Sequence, residues 1–447
     1  MRHAVVPAIP ASRSFSTLCV KGAHMNLDFD GLMLDLPEVS RGLRVVALGL
    51  ASLLVAGGAE AASPSGGKGE GLAKRLDAVI DSAIASRRIV GAVVVVLQDG
   101  RPVYRRAAGA ADREEGRPMR AEQAFRLASV SKPIVTAALL RLADEGRLDL
   151  DDPVTKYLPD FQPKLADGDA PAIRLRQLLN HTAGLSYQHM EPANGPYQRA
   201  GVSDGLDQPG LAMDEELRRI AAAGLAYAPG TAWRYSVAID VLGAVIERVT
   251  KSTLPKAVRT LVTGPLDMAG TEFAAPAREG LATPYADGSP PVRMGDPHVI
   301  PYFGLAGVRF SPGRTFDPRS FPSGGAGMNG TADDVARFLE TVRSGGGKVL
   351  KPATAKAMMT SQTGHLPIVM GPGWGFGLGG AVLTAPKAAK TPQSAGTWAW
   401  GGAWGHSWFV DAGHRLVVVA LTNTALEGMV GAFPSQVRDA VYGREAR

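Results

Sequence analysis

The chain has 447 residues, of which 45% are hydrophobic and 20% are charged, and its formal net charge at pH 7 is +6. This is the composition of a globular protein with apolar material for one large or two smaller cores, and it excludes collagen, coiled coil and general disorder. The basic residues are spread along the chain without a cluster, so we expect no nucleic-acid partner.

Residues 1–62 are predicted to form an N-terminal extension with a signal peptide. Two arginines precede the apolar run 45–56, and small residues suited to a signal peptidase follow it. The run is short for a bilayer span, so a cleaved export signal is favoured over an anchor, with Met25 or Met33 as alternative starts. Cys19, the one cysteine, lies upstream of the predicted cut. We expect a periplasmic or secreted protein without stable membrane insertion.

The next segments carry both helix and strand signals. Residues 63–71 are rich in Gly and Ser and are predicted to be a linker. Apolar residues at helical spacing predict a helix over 72–88. A β-branched run at 90–97, a turn signal and a returning run at 102–107 predict an antiparallel hairpin.

The remaining elements are predicted from the same patterns. The spacing is helical from about 213 to 266, whereas 283–327 is a Pro- and Gly-rich loop, longer than a connector needs and typical of a wall, a lid or a mobile segment. Thr331 is predicted to cap a helix that ends near residue 342. The end of the chain is predicted to hold strands at 375–383, 397–400, 407–411 and 415–422 and a helix at about 428–442.

Strands at both ends and helices between them predict an α/β fold with an inserted all-helical domain. We assign residues 72–125 and 331–447 to the α/β domain. Residues 126–330 form the mainly helical domain, which includes the loop 283–327.

Ser129 and Lys132 lie three positions apart where a helix is predicted to begin. On a helix this spacing brings hydroxyl and amine together, so that the lysine can act on the serine proton, and the helix N-terminus favours an oxyanion. The S-x-x-K pattern is typical of penicillin-recognising serine enzymes. It is weak alone, because Ser65 and Lys68 match it in a Gly-rich stretch with no helix.

Such a pair needs a proton relay and a second oxyanion donor. Tyr235 lies just before a strong helix that Ser236 could cap, and is a candidate relay; the alternative is a half-buried structural aromatic. Trp400, Gly401 and Gly402 lie between two predicted strands, where glycines permit the close approach that a carbonyl bound to a strand edge requires. The alternative there is a tight hairpin turn.

In this order, the stretches 129–132, 181–185, 235–243 and 400–402 resemble the class C β-lactamase-like serine hydrolases, and within them most closely the family VIII carboxylesterases. The resemblance covers roughly residues 72–445. It implies a β-lactamase/transpeptidase-like fold, with an antiparallel sheet flanked by helices and the active site between the two domains.

The resemblance also implies roles for single residues. Ser129 would be the acylated nucleophile, Lys132 the general base, and Tyr235 the phenol or phenolate that shares the proton and protonates the leaving group. The N–H groups of Ser129 and Ala403 would form the oxyanion hole.

Two positions depart from the lactamase pattern. Val237 stands in place of the asparagine of Y-x-N, and residues 400–402 replace K-T-G. The missing lysine and asparagine would hold a carboxylate and an acylamino group, so we expect uncharged acyl esters in place of penicillins. The residues expected to bind substrate are Trp400, Gly401, Gly402, Val237, Trp404 and His406, with Trp233 and Trp408 as further apolar walls.

Other patterns are interpreted as structural. Ser203 lies in a G-x-S-x-G sequence that lacks the strand and helix of a nucleophile elbow, and residues 375–380 fit G-x-G-x-x-G but are predicted to be a strand. His181 is expected in a turn and His406 near the pocket mouth. The histidines lack metal-ligand spacing, so no metal and no cofactor are expected.

We therefore expect an exported serine hydrolase that cleaves small-molecule carboxylic esters through a Ser129 acyl-enzyme. A β-lactamase or D-amino-acid peptidase with the same residues is the nearest alternative, for which the substrate would be an amide. An acyltransferase and a non-catalytic cell-wall-binding relative are further alternatives.

Overall fold

The computed structural model describes residues 68–273, 275 and 278–444. The predicted extension and signal peptide, residues 1–62, lie outside them. Helix α1 (Lys68–Ala85) begins inside the stretch predicted to be a linker, so residues 68–71 are helical instead. Within the described ranges, we find no helix that is both long and apolar enough to cross a membrane.

The strands of the described residues are β1 Gly91–Gln98, β2 Arg101–Asp112, β3 Arg117–Pro118, β4 Phe125–Arg126, β5 Tyr285–Ala286, β6 Val292–Arg293, β7 His298–Ile300, β8 Val308–Phe310, β9 Asn329–Gly330, β10 Trp374–Phe376, β11 Ala381–Leu383, β12 Trp398–Gly402, β13 His406–Asp411 and β14 Leu416–Thr422. The α-helices are α1, α2 Ser131–Asp144, α3 Leu175–Leu179, α4 Pro196–Arg199, α5 Met213–Ala223, α6 Ala238–Thr250, α7 Leu254–Val258, α8 Ala332–Arg343, α9 Pro352–Met358 and α10 Ala432–Val441. A π-helical turn, Arg259–Thr263, continues α7.

Eight strands form one antiparallel sheet in the order β10-β11-β12-β13-β14-β1-β2-β3. Within the sheet, the pairing of β1 with β14 joins the two ends of the described chain. Val93 and Val95 of β1 belong to the core on the side of α2 and α8, whereas Val94 and Val96 pack on the side of α1 and α10. Because both faces are covered, these strands are continuous apolar runs. The predicted antiparallel sheet flanked by helices is confirmed.

Residues 126–330, as far as they are described, contribute helices and short ribbons but no strand of the large sheet. Helix α2 is buried along almost its whole length and packs on α6, and both helices share one apolar core with Val93 and Val95 of β1. The division into two domains stays a prediction.

Three local expectations can be compared with the structure. Thr331 Oγ1 accepts a hydrogen bond from the N–H of Asp334 at 3.2 Å, which confirms the predicted cap of α8. The segment 283–327, predicted to be a loop, contains the two-stranded ribbons β5–β6 and β7–β8. Residues 375–383 are a hairpin instead of one strand, because Gly379 turns the chain at φ +81°.

Candidate active site

Ser129 lies in a 3-10 turn, Ala128–Val130, directly before α2. Ala128 has φ +45°, a left-handed conformation that is strained for a residue with a side chain. The turn is tied to the neighbouring segment by a hydrogen bond from Leu127 N–H to Met328 O at 2.8 Å. The serine is therefore held, partly exposed, at the N-terminal end of a buried helix.

Lys132 lies one turn further along and is completely buried. Its Nζ is 3.1 Å from Ser129 Oγ and donates to Gly325 O at 2.8 Å. Burial lowers the pKa of Lys132 to about 7, although the negative charges of Asp240 and Asp204 oppose this shift. A large share of the lysine is consequently neutral near pH 7 and able to accept a proton.

Tyr235 contacts the serine from the other side. Its OH lies 2.7 Å from Ser129 Oγ, and the indole Nε1–H of Trp400 donates to the same OH at 3.1 Å. Burial raises the pKa of Tyr235, while its hydrogen bonds with Ser129 and Trp400 act in the opposite direction. The phenol is therefore protonated at neutral pH, and Trp400, Tyr235, Ser129 and Lys132 form one hydrogen-bonded chain.

Asp240 of α6 positions the backbone that binds Lys132. Its Oδ1 accepts hydrogen bonds from Ser323 Oγ at 2.5 Å and from Gly325 N–H at 3.1 Å, so it fixes the backbone whose carbonyl binds Lys132. Its Oδ2 has no hydrogen-bond partner among the described residues. Burial raises the pKa of this carboxyl, an effect that Lys132 partly offsets. No role is predicted for Asp240 from the sequence, although a carboxylate in the first, otherwise apolar turns of α6 is a usable signal.

An apolar cavity of about 340 Å³ opens over Ser129. The walls of the cavity near Ser129 are mainly aromatic and aliphatic. From there the cavity continues past Gly401, along the face of β12 and β13 that packs toward α10. The residues that line the Ser129 end are Ser129, Tyr187, His189, Met190, Leu206, Tyr235, Tyr302, Val308, Ala326, Trp400, Gly401 and Ala403. Such a site suits a small, mostly apolar ligand.

The Beta-lactamase family model matches residues 76–440 of this chain. The chain belongs to the Beta-lactamase family. The predicted resemblance, and the prediction that the chain is a serine hydrolase, are thereby confirmed.

Known relatives of this Beta-lactamase family member include esterases. The chain is 53% identical over 377 residues to Esterase EstB of Burkholderia gladioli, covering 83% of this chain and 96% of EstB. The solved structure of "EstCE1, a hydrolase with promiscuous acyltransferase activity" superposes with a TM-score of 0.80 at 47% identity, covering 84% of this chain and 99% of EstCE1. A solved structure of unliganded simvastatin synthase LovD of Aspergillus terreus shares the fold at 22% identity and a TM-score of 0.63, covering 83% of this chain and 98% of LovD.

In this Beta-lactamase family member, four residues expected to contact substrate lie behind the cavity wall. Val237 is fully buried before α6. Gly402 lies against the nucleophile turn, where a Cβ would come within 2.4 Å of Leu127 O, so the glycine serves close packing. Trp404 and His406 are also outside the lining.

Trp404 and His406 are occupied by internal contacts. The ring of Trp404 packs on Phe310 at 4.5 Å between centroids. His406 Nε2 lies 2.7 Å from Arg126 O, and burial lowers the pKa of His406 to about 4, so the ring is neutral. The expectation that His406 lies near the pocket mouth is wrong, because the side chain points into the core behind β13.

The other motifs are structural, as expected, with one correction. Ser203 is buried and its Oγ donates to Asp207 Oδ1 at 2.6 Å, so it is not available as a nucleophile. His181 occupies a turn at φ +60°. Ser236 does not cap α6, because its Oγ is 3.1 Å from His181 Nδ1.

Tryptophans and other aromatic residues complete the site. Trp408 lines the cavity, and Trp233 stacks on Tyr235 with 6.5 Å between ring centroids. Tyr187, which we had not identified, places its ring 5.3 Å from Lys132 Nζ and 5.1 Å from the Tyr235 ring. It follows the 181–185 stretch by two positions, but nothing in the local sequence separates it from a core aromatic.

Proposed function

We propose that this protein is a carboxylesterase that cleaves small uncharged esters through an acyl-enzyme on Ser129. The observation that carries the proposal is the placement of Ser129 Oγ 3.1 Å from Lys132 Nζ and 2.7 Å from Tyr235 OH at the floor of an apolar cavity. The similarity to Esterase EstB and EstCE1 supports the same activity.

In the acylation step, neutral Lys132 accepts the proton of Ser129 while Oγ attacks the ester carbonyl carbon. The carbonyl oxygen becomes an oxyanion, and the N–H groups of Ser129 and Ala403, both on the cavity wall, would stabilise it. Tyr235 then donates its proton to the departing alkoxide and regains one from protonated Lys132. The bond to the alcohol breaks, and both bases return to their starting state.

Deacylation uses the same groups in reverse. Water enters beside the acyl-enzyme, and the Tyr235 and Lys132 pair accepts its proton as the hydroxide attacks the acyl carbon. The proton then passes to Ser129 Oγ as the ester bond to the serine breaks, which releases the acid.

The lining favours esters over penicillins. Trp400 occupies the strand position of the lactamase lysine, and its indole N–H is committed to Tyr235. Among the described residues of the lining, the one arginine or lysine is Arg438 at the α10 end, where Asp439 pairs with it at 2.9 Å. A lactam carboxylate would therefore find no free permanent cation near Ser129.

The test compares two substrates and two variants. We expect short-chain p-nitrophenyl esters to be hydrolysed far faster than a chromogenic cephalosporin, and Ser129→Ala to abolish ester hydrolysis while thermal melting stays unchanged. Ser65→Ala, at the other S-x-x-K match, is the matched control and should keep full activity. A preference for the lactam, or ester hydrolysis by Ser129→Ala, would refute the proposal.

We also propose that residues 1–62 direct export. Support comes from the arginines, the apolar run 45–56 and the small residues after it. Fractionation of cells that express the full chain should place the protein outside the cytoplasm, with a new N-terminus near residue 62. Cytoplasmic protein that keeps residues 45–56 would contradict export.

A further inference from the structure

A histidine–carboxylate pair lies on the wall of the cavity and transfers no proton in the mechanism above, although the charge of Asp204 acts on the pKa of Lys132. His189 belongs to the 3-10 turn Gln188–Met190, and its Nδ1 is 2.6 Å from Asp204 Oδ2. The Asp204 side chain is fully buried, whereas 13% of the His189 side chain is exposed. Both residues line the cavity that contains Ser129.

The hydrogen bonds of Asp204 define which ring nitrogen of His189 is free. Oδ1 accepts the Gln188 N–H at 2.9 Å, and Oδ2 accepts the His189 N–H at 3.2 Å in addition to the ring. Because both oxygens already act as acceptors, Nδ1 is the nitrogen that carries the proton. In the neutral ring with this tautomer Nε2 carries the lone pair, and no described residue forms a hydrogen bond with it.

Two tyrosines fix the orientation of the imidazole. The ring stacks on Tyr187, with 4.9 Å between centroids and 27° between planes, and meets the edge of Tyr302 at 5.8 Å and 81°. Tyr187 in turn lies 5.1 Å from Tyr235. One aromatic ring thus separates His189 from the tyrosine that holds Ser129, so His189 faces a part of the substrate away from the reacting carbonyl.

Besides the hydroxyl groups of the two tyrosines, the side chains near this nitrogen in the cavity wall are mainly apolar. Met190, Leu206 and Val308 line the same end of the cavity and offer no hydrogen bond through their side chains. The turn 201–205, whose G-x-S-x-G pattern has no catalytic serine, carries Asp204 to the histidine. A substrate hydroxyl that reaches this wall would donate a hydrogen bond to Nε2 and so be bound more tightly. A methyl group in its place would leave Nε2 unpaired.

We propose that His189 is a specificity-determining residue whose Nε2 accepts a hydrogen bond from a substrate hydroxyl, with Asp204 as its positioning residue. The preferred substrates are then esters with a free hydroxyl on the acid or the alcohol, such as hydroxy-acid esters or monoesters of a diol. The inference rests on the esterase function proposed above.

The test uses two pairs of esters in which a hydroxyl replaces a methyl group. On the alcohol side these are 2-hydroxyethyl butyrate and propyl butyrate; on the acid side, ethyl 6-hydroxyhexanoate and ethyl heptanoate. The readout is the ratio of kcat/KM for the hydroxyl ester to that for the plain ester. For the wild type we expect this ratio to exceed one in at least one pair.

Variants then locate the preference. His189→Phe should lower the ratio about fivefold, the worth of roughly one neutral hydrogen bond. His189→Gln, which keeps an acceptor, should restore part of it. His365→Phe, the same change at an exposed histidine outside the cavity lining, is the matched control and should leave the ratio as in the wild type.

Two results would overturn the inference: a wild-type ratio at or below one in both pairs, or an unchanged ratio in His189→Phe. Plain esters separate this failure from that of the proposed function. If the wild type hydrolyses no plain ester, the esterase proposal itself fails; if it hydrolyses them without a hydroxyl preference, only the role of His189 is lost.

Discussion

The charge state of Lys132 determines when Ser129 can be activated. The amine is buried against Ser129, Gly325 O and the faces of Tyr187 and Tyr235, and burial is the largest cause of its low pKa. Asp240 and Asp204 act in the opposite direction, so the balance sets the pKa near 7. A lysine with an ordinary pKa would be protonated in neutral solution and could not accept the serine proton.

The pH dependence of acylation follows from this balance. Because only neutral Lys132 accepts a proton, kcat/KM for a p-nitrophenyl ester should rise with pH to a plateau, with a midpoint near the Lys132 pKa of about 7. Asp240→Asn removes a negative charge that raises this pKa, so the midpoint should move to lower pH. Exposed Asp160→Asn is the control and should not move it. A midpoint that stays or rises in Asp240→Asn would contradict the assignment of Lys132 as base.

The hydrogen bond from the Trp400 indole to Tyr235 can be tested by substitution. Trp400→Phe keeps an apolar wall but removes the N–H that binds Tyr235 OH, so kcat/KM should fall about five- to tenfold, as for one hydrogen bond. Trp398→Phe is the matched control, since the Trp398 Nε1 has no partner among the described residues. Equal losses in the two variants, measured on folded protein, would exclude a role for this hydrogen bond.

Sequence spacing gave different amounts of information about different residues. The three-residue spacing of Ser129 and Lys132 is enough to bring them together, because a helix imposes it. The predicted substrate contacts of Val237, Trp404 and His406 do not hold, because a motif does not tell whether a side chain faces the cavity or the core. His189 was missed since its partner, Asp204, is brought to it only by tertiary structure.

At the scale of elements, the segment 283–327 contributes most to the site among the parts predicted to be irregular. It supplies Tyr302, Val308 and Ala326 to the cavity wall, and Gly325 O to Lys132. Its composition predicted a wall or a lid but not its ribbons, because strands of two or three residues have no measurable alternation. The long helices α2, α6 and α8 were predictable, because each buries several turns of regularly spaced apolar residues.

Gly325 tests how closely this segment is fitted to the catalytic residues. A Cβ at this position would lie 2.8 Å from Asp240 Oδ2, 3.2 Å from Tyr187 OH and 3.3 Å from Lys132 Nζ. Gly325→Ala should therefore displace the lysine and lower kcat by about ten- to a hundredfold. Gly295→Ala, whose Cβ would meet its nearest atom at 3.7 Å, is the control within the same segment. Normal kcat in a folded Gly325→Ala protein would contradict the fit.

At the scale of the whole molecule, the sheet connects distant parts of the chain into one site. β12 carries Trp400 to Tyr235, and the turn after it carries Ala403 to the cavity above Ser129. The sequence predicted the strands β12, β13 and β14 and the sheet's antiparallel character. It could not predict the pairing of β1 with β14, because strand order depends on contacts between residues more than 300 positions apart.

The central claim is that an ester acylates Ser129. The direct measurement is the mass of protein quenched within its first turnovers on a p-nitrophenyl ester, followed by tryptic mapping. Cleavage after Arg126 and Arg141, with Lys132 protected by Pro133, yields one peptide that contains Ser129. We predict that the acyl mass appears on this peptide, at Ser129, and is absent from Ser129→Ala. Turnover without any acyl mass, or an acyl group on another residue, would contradict the claim.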